Sequence, residues 1–255
     1  MTERTFVSAT SGPIVLGLSL PVGSVRVQVL NNLTTARVTL RTDDSTGPAA
    51  DAVNRTRGEQ NGQVLGIEVP DMPDGVIVRG NRGTTVMHSV GSVNVVGGTV
   101  RINGRVVSGG RGNMSTVSPI EVVVCLPAGS SFGLVGTSAD AEVFGYIDRM
   151  EFRSVSGDLD ADGVRQLTAN TTSGDINVGR ITERITAHAV SGDIEVRLYD
   201  GSAATLNTTS GDIELQATDA ASGRVSAHSV SGDVRLSGAH HLSVSADSVS
   251  GRLRR

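Results

Sequence analysis

The chain has 255 residues and a formal net charge of −4, with Lys+Arg 22 against Asp+Glu 26, an aromatic content of 2% and Trp 0. That balance supplies no broad cationic field to draw in phosphate backbones and few flat rings to stack on bases or sugars, which argues against nucleic acid as a partner. Gly 32 and a hydrophobic content of 38%, with Val, Ser and Thr abundant, predict many short strands joined by tight turns, an all-β chain of one or two structural units.

The N-terminus leads from Met1 through the polar stretch Ser8 to Ser11 into a mild apolar run, Ile14 to Val22, broken by Gly17, Ser19 and Pro21. It reads as neither a signal peptide nor a membrane span, so a cytoplasmic location is expected. Val25, Val27 and Val29 alternate with polar residues, as do Val38 and Leu40, and then Leu65, Ile67 and Val69 in an offset register. These predict strands of a looser sheet. The segment Pro48 to Arg57, bounded by Gly47 and Gly58, is the best helix candidate, because Pro suits a first helical position and Gly a stop. From Gly80 to Gly112 Gly and Val dominate, with turns expected at Asn81-Arg82-Gly83 and Asn103-Gly104. Ile120 to Leu126 is an apolar strand without alternation, expected to be covered on both faces. Its Cys125, the one cysteine, can form no internal disulfide; it reads as a buried core thiol and points to a reducing compartment.

The second half is built on a repeated triplet: Ser156-Gly157-Asp158, Ser173-Gly174-Asp175, Ser191-Gly192-Asp193, Ser210-Gly211-Asp212 and Ser231-Gly232-Asp233, with Ser250 opening a last copy. The serines are spaced 17, 18, 19, 21 and 19 residues apart, a period that signals stacked repeats. Six residues before each serine stand Met150, Leu167, Ile185, Ala204, Val225 and Val244, and four before stand Phe152, Ala169, Ala187, Leu206, Ala227 and Ala246. Three after stand Leu159, Ile176, Ile194, Ile213, Val234 and Leu253, and five after stand Ala161, Val178, Val196, Leu215 and Leu236 until Arg255 breaks the column. Period-two alternation on both sides of a fixed turn makes each repeat a strand, a turn and a strand. One such unit cannot bury its own apolar face, so neighbours must stack into a β-solenoid with strands about 4.8 Å apart. A degenerate copy at Ser138-Ala139-Asp140 extends the register to seven coils. The expected organisation is therefore a β-rich N-terminal capping region with one short helix, residues 1–119, continuous with a repeat solenoid, residues 120–255.

The phased Ser-Gly-Asp repeats, preceded by the strand Ile120 to Leu126 closing in Leu126-Pro127-Ala128-Gly129, resemble the bacterial putative-adhesin family also called toastrack. The resemblance implies a β-solenoid over nearly the whole chain, an association with adhesion or with cell-envelope stress systems, and no catalytic residues.

In the triplets, Gly is expected to supply a positive φ, while Asp and Ser side chains bond local backbone N–H groups. The column Asp158, Asp175, Asp193, Asp212 and Asp233 offers hard oxygen ligands, so a calcium-binding solenoid is an alternative, but one Asp per coil is sparse for calcium. Three residues before the serines run Arg153, Asn170, His188, Asn207, His228 and Asp247, and two before run Ser154, Thr171, Ala189, Thr208, Ser229 and Ser248; both columns are expected in solvent. His188 and His228 are separated by the coil of Asn207, roughly 9.6 Å, too far to share a metal. His240 and His241 are an adjacent pair in a linking segment, and adjacent residues in extended chain point oppositely, while His88 has no visible partner. No Gly-x-Ser-x-Gly elbow supports a hydrolase triad, and the glycines at 97–98 and 109–112 lack a Walker lysine and a following helix.

No catalytic, cofactor or metal residue is therefore nominated. The expected function is a non-enzymatic structural or interaction scaffold with a protein partner; the alternatives are a carbohydrate-active β-helix enzyme and the calcium-binding solenoid. At the C-terminal end, Arg252, Arg254 and Arg255 are expected to protect the open edge of the last coil, with a homo-oligomer held against a second copy as the alternative.

Overall fold

The computed structural model describes residues 1–73 and 115–255, and between them the strand backbones 76–79, 85–88, 93–96, 99–102 and 105–106. The turns expected at Asn81-Arg82-Gly83 and Asn103-Gly104, the glycines at 97–98 and 109–112, and the His88 side chain lie outside the described residues.

In chain order the first strands are β1 (Thr2–Val7), β2 (Val15–Ser19), β3 (Val22–Leu30) and β4 (Arg37–Thr42), followed by helix α1 (Pro48–Arg55), β5 (Arg57–Asn61) and β6 (Val64–Glu68). Short strands β7 (Val76–Arg79), β8 (Thr85–His88), β9 (Val93–Val96), β10 (Thr99–Ile102), β11 (Arg105–Val106) and β12 (Ser115–Val117) form two three-stranded sheets. The rest runs β13 (Glu121–Pro127), β14 (Ser131–Val135), β15 (Ser138–Ser154), β16 (Leu159–Ser173), β17 (Ile176–Ser191), β18 (Ile194–Tyr199), β19 (Ala203–Ser210), β20 (Ile213–Ala217), β21 (Arg224–Ser231), β22 (Val234–Ser237), β23 (Ser243–Ser248) and β24 (Leu253–Arg254).

The long strands stack in parallel along two facing sheets. One face runs β6, β2, β14, then the C-terminal parts of β15, β16 and β17, then β19, β21 and β23, with β5 antiparallel on β6 at its edge. The other runs β3, the N-terminal parts of β15, β16 and β17, then β18, β20, β22 and β24; beyond β3 lies parallel β13, and antiparallel β4 and β1 close that end. The result is an all-β solenoid of about six turns. Of the seven coils expected, the last is incomplete: its second-face strand is only Leu253–Arg254, and Leu253 is 42% exposed.

The register follows the sequence columns. Ile176 pairs with Ile194, Ile194 with Ile213, Ile213 with Val234 and Val234 with Leu253. Leu167, Ile185, Ala204 and Val225 align on the other face, and apart from the terminal Leu253 both columns are buried between the faces. The N-terminal strands enter the same stack: Leu16 and Leu18 sit beside Phe132 and Leu134, and Val25 and Val27 beside Ala141 and Val143. Their apolar alternation feeds the same core.

Helix α1 begins at Pro48, after Gly47 at φ 94, and buries Ala49, Ala50, Ala52 and Val53 against β1 and β4. It stops at Arg55, short of the expected Arg57, because Thr56 turns extended and its hydroxyl donates to the Ala52 carbonyl at 2.9 Å. Gly58 is no helix stop: it lies in β5, where a Cβ would meet the Phe6 ring at 2.6 Å. Strand β13 does alternate, with Val122, Val124 and Leu126 buried and Cys125 only half-buried on the outer side. Cys125 is thus not a core thiol; the pleat that buries its neighbours turns it outward.

Candidate functional site

The Ser-Gly-Asp triplets line one edge of the solenoid, where each chain crosses from one face to the other. Their chemistry is spent between coils. The backbone N–H of Asp175 donates to Asp158 Oδ1 at 3.0 Å, that of Asp193 to Asp175 Oδ1 at 2.9 Å, that of Asp212 to Asp193 Oδ1 at 2.7 Å and that of Asp233 to Asp212 Oδ1 at 2.7 Å. The ladder starts at Asp140, which accepts from Asp158 N–H at 3.1 Å, and ends where Arg252 N–H donates to Asp233 at 2.9 Å. The carboxylates therefore satisfy the amide of the following coil rather than a local one. Each amide offsets the like-charge stacking that a column of carboxylates creates. The Arg252 amide, helped by Arg235, Arg252 and Arg254, holds the Asp233 carboxyl below its usual range.

The glycines serve a different purpose from the one expected. None of Gly157, Gly174, Gly192, Gly211 and Gly232 has a positive φ. A Cβ at Gly192 would instead overlap the carbonyl oxygen of Gly174, and one at Gly211 that of Gly192. Glycine is required because successive coils bring backbone against backbone. The triplet serines are exposed, and the hydroxyl column that bonds backbone lies two residues earlier. Ser154, Thr171, Ala189, Thr208 and Ser229 are buried, not solvated. They continue the inward side of the same pleat, and Thr208 and Ser229 donate to the carbonyls of Gly192 and Gly211 at 3.1 and 3.0 Å.

The opposite edge, where coils link, carries a charged ladder. Arg165 is clasped between Asp148 and Glu183, with Nε 2.6 Å from Asp148 Oδ1, and Gln166 also donates to Glu183. The Arg165 hydrogen bond holds the Asp148 carboxyl below its usual value; the Gln166 hydrogen bond, then Arg165, does the same for Glu183. Next to them Arg180 Nε lies 2.6 Å from Asp200 Oδ2, and Thr218 donates to the same carboxylate. Burial raises the Asp200 pKa, but these two hydrogen bonds outweigh it and the carboxyl stays low.

On the outer face, His188, Asn207, His228 and Asp247 form one register column as expected, with Asn207 Nδ2 3.2 Å from His188 Nδ1. One contact was missed. Ser226 Oγ lies 2.9 Å from His228 Nε2, whose Nδ1 hydrogen-bonds Asp247. The columns contained this signal, since Ser226 and His228 are two apart on one strand and Asp247 is the next residue in the His228 column. The three sit on a flat exposed face, and β21 is paired on both sides, so its amides are committed to the ladder rather than free to hold an oxyanion. His240 and His241 lie in the linking segment as expected, but in a 3₁₀ turn, Ala239–His241, rather than extended chain, which brings their rings edge to face at 5.3 Å instead of pointing them apart. Among the described residues no group of three or more His, Cys, Asp or Glu is placed to hold a metal, and no helix is long and apolar enough to cross a membrane. A cleft of about 460 Å³ at the α1 end is lined by Arg4, Asn54, Arg55, Thr56, Arg57, Glu68 and Pro70. It brings together no nucleophile and base.

No curated protein matches the sequence. Among solved structures the chain is similar to a putative adhesin from Bacteroides fragilis NCTC 9343, at 14% identity over 100% of this chain and 97% of that one, with a TM-score of 0.55. It is also similar to a protein from Parabacteroides distasonis ATCC 8503 described as a putative lipid binding protein, at 14% identity over 100% and 97% of the two chains and a TM-score of 0.47. The likeness to the Bacteroides fragilis protein is one of fold. The Toastrack DUF4097 profile matches residues 81–254, from the glycine-rich segment through every Ser-Gly-Asp coil to the penultimate residue. Spanning well over half of the sequence, that match establishes that the chain belongs to the Toastrack DUF4097 family.

Proposed function

We propose that this protein is a non-enzymatic binding scaffold of the adhesin type, whose working surfaces are the two outward sheet faces. The observation that carries the reading is the division of labour in each coil. Asp carboxylates, Gly backbones and the inward hydroxyls of Thr208, Ser229 and Ser248 are consumed in holding coil to coil, while the outward columns repeat at the strand spacing of about 4.8 Å. A rigid array of that kind presents many weak contacts in fixed register, which suits adhesion to an extended target better than turnover of a small one. The name carried by the Bacteroides fragilis protein of the same fold is in keeping with this reading.

The test is to immobilise the full chain and pass over it cell-envelope and soluble fractions of a bacterial host. Saturable retention of one macromolecule, competed by free protein and leaving that macromolecule intact, is expected. New reducing ends or unsaturated sugars released from a polysaccharide panel would replace this reading with an enzymatic one.

A further inference from the structure

The chain has Phe 4, Tyr 2 and Trp 0. Phe132, Phe152 and Tyr199 are buried and Phe6 is partly buried, so the exposed rings are Phe144 and Tyr146, 45% and 43% exposed. They flank one residue, Gly145, at φ +93, where β15 bulges and its register against β16 shifts. The Gly145 N–H, freed from the ladder, donates to Asp162 Oδ2 at 2.9 Å, which fixes the bulge. An aromatic-poor chain thus places both of its exposed rings on one pinned bend.

The Tyr146 ring is held flat. It is paired with Gly163, where a Cβ would meet Tyr146 Cδ2 at 2.9 Å, and its hydroxyl hydrogen-bonds Thr182 on β17. The ring therefore lies across β16, with one side on the Gly163 backbone and the other open. Leu30 and Leu198, 38% and 40% exposed, lie on β3 and β18 of the same face, one to either side of the bend, with Arg180 in register between Gly163 and Leu198. Exposed rings held in a fixed orientation on a sheet face are a mark of a binding surface.

The charge around the rings selects the ligand. Arg26 is bonded to Glu142 at 2.8 Å and stands 5.8 Å from the Phe144 ring centre; Arg180 is bonded to Asp200. Each nearby guanidinium is already matched by a carboxylate, and Asp162 adds no positive charge. Among the described residues beside the rings, neither Arg26 nor Arg180 is left unpaired for an acidic polymer. A neutral chain of hexopyranose rings does find what it needs: the polarised C–H face of a sugar meets the negative face of an immobilised aromatic ring, and the paired Arg and Glu or Asp offer planar donors and acceptors to vicinal hydroxyls. We infer that the Phe144 and Tyr146 bend is a stacking platform for neutral hexopyranose glycans, the target class of the binding scaffold proposed above and dependent on that reading.

Tyrosine emission reports on the site directly, because Tyr199 is fully buried and no tryptophan masks the signal. The full chain is titrated with cellohexaose, maltohexaose and chitohexaose, with polygalacturonate as the acidic comparison. A saturable change with at least one neutral oligosaccharide is expected, at a dissociation constant on the order of 0.1–1 mM. Phe144→Ser should weaken it about tenfold or more. Gly163→Ala should do likewise by lifting the Tyr146 ring without removing any group the sugar touches, and unchanged melting temperatures would certify both variants as folded. Silence toward all three neutral probes, binding that survives both substitutions, or a preference for polygalacturonate overturns the inference. If the chain still retains envelope material while ignoring the oligosaccharides, the platform fails and the scaffold reading stands; if it cleaves them, the scaffold reading fails.

Discussion

Thr208 Oγ1 donates a 3.1 Å hydrogen bond to the carbonyl oxygen of Gly192, one coil earlier. The same bond recurs from Ser229 to Gly211 and, at 2.7 Å, from Ser248 to Gly232. In the coil between Thr171 and Thr208 the equivalent residue is Ala189, which has no hydroxyl to offer Gly174.

Ala189→Ser should therefore stabilise the protein by about 1 kcal/mol, and Thr208→Val should destabilise it by about 1–2 kcal/mol by leaving a buried acceptor unmatched. Urea denaturation of the two variants against the parent checks both signs. A destabilised Ala189→Ser would mean that the site has no room for the oxygen.

Gly192→Ala should cost about 3 kcal/mol, since the new methyl overlaps the Gly174 carbonyl and the strand ladders on both faces resist any widening of the coil. Gly17→Ala is the control: it faces open space with an ordinary φ and should stay within about 0.5 kcal/mol of the parent. Equal effects at the two glycines would show that coil spacing is not what excludes a side chain.

Ile194→Ala removes the middle of the column between Ile176 and Ile213 and should destabilise by about 2–5 kcal/mol through the cavity it leaves. Val190→Ala, at a position 48% exposed four residues away, should change little. Thermal melts of the pair separate core from surface on the same strand turn.

The edge ladder predicts an acid limb. Hydrogen bonds from Arg165 depress the Asp148 pKa below 3.8, and those from Thr218 and Arg180 leave Asp200 low as well. A carboxyl depressed in the folded state contributes stability that is present above its unfolded pKa and is lost as the pH falls through the folded value. The melting temperature should thus hold down to about pH 4 and then drop. Asp148→Asn should lower the plateau and flatten the drop, which melts from pH 7 downward would reveal.

Tyr199 predicts an alkaline limb. Burial pushes its phenol up to about 12 from 10.0, and its hydroxyl has no hydrogen-bond partner. A raised folded pKa means stability that is complete below pH 10 and lost as the pH climbs from 10 toward 12. In a Tyr146→Phe background, tyrosinate absorbance should appear only near the upper value or with unfolding. Tyr199→Phe should leave stability equal or about 1 kcal/mol higher, because no bond is lost.

The solenoid was legible because its signal is local and repeated: Ile176, Ile194 and Ile213 each stand three residues past a fixed triplet, so alignment of the triplets is alignment in space. Thr171 and Thr208 were misread because polarity was taken for exposure, although the pleat that buries Ala169 and Leu206 must also bury the residues two further on. Gly192 was assigned the right residue type for the wrong reason, since a sequence cannot tell a glycine needed for positive φ from one needed for close approach. The entry of Val25 and Val27 into the stack depends on pairing with residues more than a hundred positions away, and no triplet marks it. Tyr146 and Phe144 passed as two of few aromatics; only the bulge at Gly145 and the bare backbone at Gly163 reveal them as one surface.

The Asp ladder has a direction. In each of its side-chain bonds the acceptor, a carboxylate or a glycine carbonyl, belongs to the earlier coil and the donor, an amide or a hydroxyl, to the later one, while the backbone amides of Gly192 and Ile194 donate forward to Ser210 and Asp212. A finished coil is therefore a template that awaits its successor, and a ribosome delivers that successor next. Growth of the stack in order of synthesis supplies each waiting carboxylate with its donor as the next coil is made, and each added coil sheathes the apolar edge left by the last. The same rule makes the coil a unit of exchange: a copied or deleted repeat leaves matching acceptors upstream and donors downstream, so chains of this kind can change length by whole turns without a new design at the joint.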